Sequence, residues 1–120
     1  MKPADRRRRV ADEIKRLAAE ILLREIHDYD MRMVTVLRCE VTGDMSEATI
    51  RYSVLGDEAK REECARHLTR VTGFIQRRIA DQIKLYRTPR IKFVFDRSID
   101  DGINLQRLFD QIDREREEND

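Results

Sequence analysis

The chain has 120 residues, enough for one self-supporting hydrophobic core and too few to expect a second domain. With 41% of its residues charged and 40% apolar, it reads as a globular domain with an ionic surface rather than a disordered segment. No stretch approaches the roughly 18 apolar residues of a membrane span, and no apolar run follows the N-terminal arginines as a secretory signal requires, so no membrane partner and a cytoplasmic location are expected.

From Asp5 the apolar residues fall at Val10, Ile14, Leu17, Ala18, Ile21 and Leu22, the spacing of an amphipathic helix, with Pro3 and Asp5 placed to start it and an end near Ile26. His27 to Arg32 shows neither helical nor strand periodicity and reads as a loop. Residues 35–41 and 48–54 then alternate around Thr42-Gly43-Asp44-Met45-Ser46, which predicts a β-hairpin. Its core face should carry Leu37, Cys39, Val41, Ala48, Ile50, Tyr52 and Val54, leaving one side for helices to cover. Gly56-Asp57 opens a helical stretch with apolar residues Ala59, Cys64, Ala65, Leu68 and Val71. A second stripe, Phe74, Ile75, Ile79, Ala80 and Ile83, follows Gly73, whose cost of about 1 kcal/mol inside a helix suggests a bend or break there. Thr88-Pro89 ends the helix, and 90–95 alternates as a third strand. A last amphipathic helix through Ile103, Leu105, Leu108, Phe109 and Ile112, which Ser98 could cap, passes into a polar tail over 113–120 that is expected to fray. The sequence thus predicts an α+β fold, a small three-stranded sheet with helices on one face.

A net charge of only +1 argues weakly against a nucleic-acid partner, but its distribution argues the other way. Residues 1–16 hold seven Lys/Arg against three acids and residues 60–92 hold ten against three, while 17–59 and 96–120 each hold four against nine. Local fields, not totals, attract phosphates. Four successive arginines, Arg6 to Arg9, cannot share one side of a helix, so some must project away from its apolar stripe; they are either a solvated, frayed end or phosphate contacts. In the second block Arg61, Arg66, Arg70, Arg77, Arg78, Lys84, Arg87 and Arg90 face only Glu62, Glu63 and Asp81. So few available carboxylates favour nucleic-acid contact over a merely solvated face. A break at Gly73 would also expose backbone N–H groups where a phosphate could sit, although a glycine that only turns the chain explains the residue nearly as well.

Signatures of enzymatic chemistry are missing: there is no zinc-ligand spacing, no phosphate-binding glycine loop and no nucleophile elbow. His27 and His67 read as surface imidazoles, Asp100-Asp101 as residues favouring a helix start, and Cys39 and Cys64 as reduced thiols rather than a disulfide. A non-enzymatic protein without cofactor, metal or small-molecule substrate is expected. A protein-interaction module docking through the acidic C-terminal helix, and a DNA reader built on the bent helices, remain as alternatives to RNA binding.

Beyond these patterns, the chain resembles the ribosome-binding factor A family. The resemblance rests on the Arg-rich start leading into Arg9-Val10-Ala11-Asp12-Glu13-Ile14, on Val34-Thr35-Val36, on residues 41–50 (VTGDMSEATI), on Gly73-Phe74-Ile75, and on residues 85–93 (LYRTPRIKF) followed by Asp96-Arg97-Ser98. It implies a type II KH-like domain, α-β-β-α-kink-α-β plus a C-terminal helix, here over residues 1–112. The family's Ala-x-Gly kink signature falls on Val71-Thr72-Gly73, with valine for alanine, and Gln76 stands where arginine is common. By the same resemblance the partners would be the small (30S) ribosomal subunit and 16S rRNA near its 5′ end, bound by a protein monomeric when free that assists late maturation of that RNA. Together with the basic blocks this makes Arg6, Arg7, Arg8, Arg9, Arg70, Thr72, Gly73, Arg77, Arg78, Lys84, Arg87 and Arg90 the expected RNA-contacting residues.

Overall fold

A computed structural model of the chain describes residues 2–97 and 112–114. Helix α1 spans Pro3–Arg24, with proline in its first turn, where a missing N–H costs nothing, and Asp5 beside the positive end of the helix dipole. It buries Val10, Ala11, Ile14, Leu17, Ala18, Ile21 and Leu22, the stripe that the periodicity predicts. Strands β1 (Val34–Val41) and β2 (Glu47–Val54) form the antiparallel hairpin, and β3 (Arg90–Phe95) adds parallel to β2 in the order β1-β2-β3. β2 is therefore central. Ala48, Ile50, Tyr52 and Val54 alternate into the core beneath both helices, and Tyr52 meets Phe93 and Phe95 edge-on.

The hairpin departs from strict alternation at one point. Val36 pairs with Tyr52 and Arg38 with Arg51, so Leu37 is the extra residue of a β-bulge. The extra residue shifts the alternation by one. Val34 and Val36 pack on the core with Cys39 and Val41, and Leu37, expected on that face, does not join them. The turn is held by Asp44, whose Oδ1 accepts from the Ser46 hydroxyl at 2.8 Å, the Ser46 N–H at 3.1 Å and the Thr42 hydroxyl at 2.8 Å. Those bonds, the Ser46 hydroxyl foremost, hold its carboxyl below the usual carboxylate range. The positive φ that the turn demands falls on Met45, at 61°, and not on Gly43.

Helix α2 runs without interruption over Glu58–Gln82, which corrects the expectation of a kinked pair divided at Gly73. Its buried residues Cys64, Leu68, Val71, Ile75 and Ile79 explain why. They follow at intervals of four, three, four and four, so the two stripes are in phase and a single helix buries both. Gly73 has an ordinary φ and an exposed position, and it only weakens the helix locally. Ala59 and Ala80, read as part of the stripe, are exposed. Upstream, Asp57 caps α2 by accepting the Lys60 N–H at 2.9 Å. Gly56, at φ 146°, has Lys60 carbons 3.0 Å from where a Cβ would stand, so the entry to this helix needs glycine. Of the predicted last helix and tail, Ile112, Asp113 and Arg114 are helical and exposed; Ser98, Asp100-Asp101, Ile103 to Phe109 and the rest of the tail lie outside the described residues.

Candidate nucleic-acid interface

Because α2 buries one stripe against the sheet, the residues on its opposite side are turned fully outward. Arg66, Arg70, Gly73 and Arg77 succeed one another there at intervals of four, three and four, and all are exposed. Three guanidinium groups thus line one ridge, with the side-chain-free Gly73 as a gap between Arg70 and Arg77. Arg66 and Arg77 form no ion pair with any described residue, and the nearest group to a Cβ on Gly73 would be the Arg77 guanidinium, 3.6 Å away. Arg70 donates to the Tyr29 hydroxyl at 3.4 Å, a contact that leaves its charge uncompensated.

Arg78, one residue on, has a different setting. It is half-buried, and its Nε donates to Glu25 Oε1 at 2.9 Å across the helix pair, with Asp81 Oδ2 4.0 Å from Nη1. The Glu25 contact pins the chain leaving α1 to α2. A second pin lies beyond it, where the Tyr29 ring stacks on His67 at 4.1 Å. His67 is thus half-buried in a stack, with Nδ1 shielded and unbonded, rather than the surface imidazole that the sequence suggests. Thr72 spends its hydroxyl on the Leu68 carbonyl at 2.6 Å. With α2 continuous, no helix start follows Gly73, and the expected cradle of free N–H groups is not formed there.

Past the end of α2, exposed Lys84, Arg87 and Arg90 extend the positive surface. The segment carrying them is tied back by Gln76, whose Nε2 donates to the Pro89 carbonyl at 2.8 Å and whose Oε1 accepts the Ile91 N–H at 2.7 Å. An arginine at that position could donate but not accept, so glutamine has a structural use there. The Arg90 N–H bonds to the Ser46 carbonyl at 2.8 Å, which sets the start of β3 beside the hairpin turn. Gly43 of the same turn lies under Arg7, whose Nη1 would be 3.4 Å from a Cβ there. Arg7 and Arg90 therefore flank one turn from two elements distant in sequence. Arg6, Arg8 and Arg9 are exposed on the first turns of α1, and none of the four pairs with an acid among the described residues.

Other arginines are paired. On the sheet face away from the helices, Arg38 reaches the buried Asp96 at 3.1 Å and Glu40 at 3.4 Å, and Arg51 reaches Glu40 at 3.0 Å. Cys39 and Cys64 are free thiols, and burial pushes Cys39 up to about 12, far from a reactive thiolate. Among the described residues no three His, Cys, Asp or Glu side chains stand close enough to hold a metal, and no helix is long and apolar enough to cross a membrane. Arg66, counted in the second basic block but not among the expected contacts, joins the ridge through its spacing to Arg70 and Arg77, and Tyr86 stands as an aromatic inside the basic segment.

An antiparallel hairpin extended by a parallel third strand, with two helices packed on one face, defines a KH-like α+β domain, here with cations on the outward side of α2. Residues 6–109 match the family profile of ribosome-binding factor A. The chain is 35% identical over 105 residues to the ribosome-binding factor A of Thiobacillus denitrificans, covering 88% of this chain and 85% of that one. It therefore belongs to the ribosome-binding factor A family. The solution structure of a candidate ribosome binding factor A from Thermotoga maritima superposes with a TM-score of 0.68 at 33% identity, over 78% of this chain and 90% of that one. The crystal structure of ribosome-binding factor A from Thermus thermophilus gives 0.65 at 21% identity, over 74% and 93%, and shares the fold. A homology model of the Thermus thermophilus ribosome binding factor A, fitted into a cryo-electron microscopy map of a 30S complex of that protein, gives 0.59 at 24% identity over 72% and 91%.

Proposed function

We propose that this protein binds the free, immature small (30S) ribosomal subunit through 16S rRNA near its 5′ end, and assists late maturation and processing of that RNA without catalysing a reaction. The observation that carries the reading is the arginine ridge of α2: Arg66, Arg70 and Arg77 stand outward without carboxylate partners among the described residues, in a family named for ribosome binding. Unneutralised cations on a rigid helix suit a phosphate backbone, because each contact releases condensed counterions. A cytoplasmic location follows in this reading from work on the small subunit. The Thermus thermophilus relative was placed in a 30S complex, which supports the same partner here.

Residues 1–112 act in this reading as one RNA-binding domain, with Arg6 to Arg9, Arg70, Thr72, Gly73, Arg77, Arg78, Lys84, Arg87 and Arg90 as the contact set and Arg66 added to it. The mechanism is conformational. A bound factor favours whichever rRNA arrangement it fits best, by as much as its affinities for the two arrangements differ. Co-sedimentation with isolated small subunits, large subunits and whole ribosomes across a salt series tests the proposal. Selective, salt-sensitive binding to small subunits is the expected result. Equal binding to all three would reduce the surface to a non-specific polycation, and binding that survives RNase digestion of the subunit would point to a protein partner.

A further inference from the structure

We infer that Tyr86 is a stacking platform for an unpaired base of the bound RNA, an inference that rests on the small-subunit reading above. Among the described residues the exposed large apolar side chains are Leu23, Met33, Leu55, Tyr86 and Ile112, and only Tyr86 is aromatic. It is also the most exposed of them, at 106% against 75% for Leu55. A ring held wholly in water makes no contribution to the core, so folding gives no reason for it.

Its surroundings are rigid. Ile83 is buried and closes the last turn of α2 with an N–H bond to Ile79 at 2.8 Å, Leu85 packs against the core, and Pro89 is buried with its carbonyl held by Gln76. The segment is thus fastened on both sides of Tyr86, and the ring is presented outward with little backbone freedom left to lose on binding. Exposed Lys84, Arg87 and Arg90 surround it in sequence, and none pairs with an acid among the described residues.

An aromatic face beside unpaired cations matches a nucleotide in two ways at once. The cations take the phosphates, and the ring takes the base. Bases within a duplex already stack on both faces, so the occupant is one splayed from a loop, bulge or single strand. A protein partner would be expected to meet this segment with carboxylates and an apolar pocket, and would leave a different spectroscopic record.

The test uses the full chain with Tyr86→Ala, Tyr86→Phe or Tyr86→Trp, titrated against purified small subunits at several salt concentrations. Tyr86→Ala should lose about tenfold in affinity, with Tyr86→Phe within about twofold of the parent, because stacking needs the ring and not the hydroxyl. The salt dependence of Tyr86→Ala should match the parent, since no charge is removed, whereas Arg87→Ala should lower the slope by about one. The chain has no tryptophan, so Tyr86→Trp carries a single reporter, whose emission should be quenched on binding. Unchanged thermal unfolding of Tyr86→Ala would confirm that the fold is intact. Parent-like binding by Tyr86→Ala, or equal loss in Tyr86→Phe, would overturn the inference while leaving the proposed function in place. Blue-shifted, unquenched tryptophan emission would do the same in favour of a protein pocket. Failure of the parent to bind small subunits would overturn both.

Discussion

Arg77 and Arg78 are neighbours of equal charge, yet the rotation of about 100° between successive helical residues gives them different work. Arg77 stands on the outer ridge, while Arg78 is half-buried against Glu25 at 2.9 Å. Arg77→Glu should weaken small-subunit binding and leave thermal unfolding within about 0.5 kcal/mol of the parent. Arg78→Glu should in addition cost roughly 1 kcal/mol of stability, since it sets like charges together at a partly exposed site; denaturant melts of the two variants separate the effects. Asp30 behaves similarly at small scale. Its carboxylate accepts from the Arg32 side chain at 3.0 and 3.1 Å and from the Arg32 N–H at 3.0 Å, and these bonds lower its pKa to about 2. A depressed folded-state value means that the turn is fully supported above the unfolded carboxylate range, loses that support progressively as pH falls below that range, and has lost it once pH passes below about 2. Asp30 carboxyl shifts followed by NMR should therefore stay flat down to pH 3, near which an unperturbed aspartate would already be titrating.

At the scale of elements, α2 is where local and tertiary signals diverge. Glycine in a helix interior and two apolar stripes together suggest a break, but core burial of Leu68, Val71, Ile75 and Ile79 along one line outweighs the cost of about 1 kcal/mol at Gly73. Gly73→Ala should accordingly stabilise the protein by up to about 1 kcal/mol, because the new methyl would meet nothing closer than the Arg77 guanidinium at 3.6 Å. A rise in melting temperature checks it, and a fall would mean that the backbone at Gly73 departs from helix in solution. The opposite holds at Gly56, where φ is 146° and a Cβ would crowd Lys60 at 3.0 Å. The bulge at Leu37 is the strand counterpart: it keeps both halves of β1 on the core although strict alternation does not.

For the molecule as a whole, function lies in how charge is apportioned among faces. On the sheet surface Arg38 and Arg51 are paired with Glu40 and Asp96, whereas the outer face of α2 and the segment after it keep their cations unpaired. Replacing Arg66, Arg70 and Arg77 together by alanine should lower the slope of log affinity against log salt by about two to three, with little change in folding because all three are exposed. Small-subunit binding measured at three salt concentrations suffices to see it.

The amino-acid sequence by itself determined the alternation of helical and strand segments as far as β3, since periods of 3.6 and 2 are properties of the chain alone: Ile14, Leu17 and Ile21 declare a helix, and Ala48, Ile50, Tyr52 and Val54 a strand. It also located the two basic blocks, and its motifs carried the family. Only the tertiary structure decided that the two stripes of α2 are one, that Val36 rather than Leu37 faces the core, and that of two adjacent arginines Arg78 is the one paired with Glu25. The physical reason is common to all three. Phase, register and ion pairing are set by what lies across the space between elements, and residues such as Glu25 and Arg78, or Gln76 and Ile91, meet only once the chain has packed.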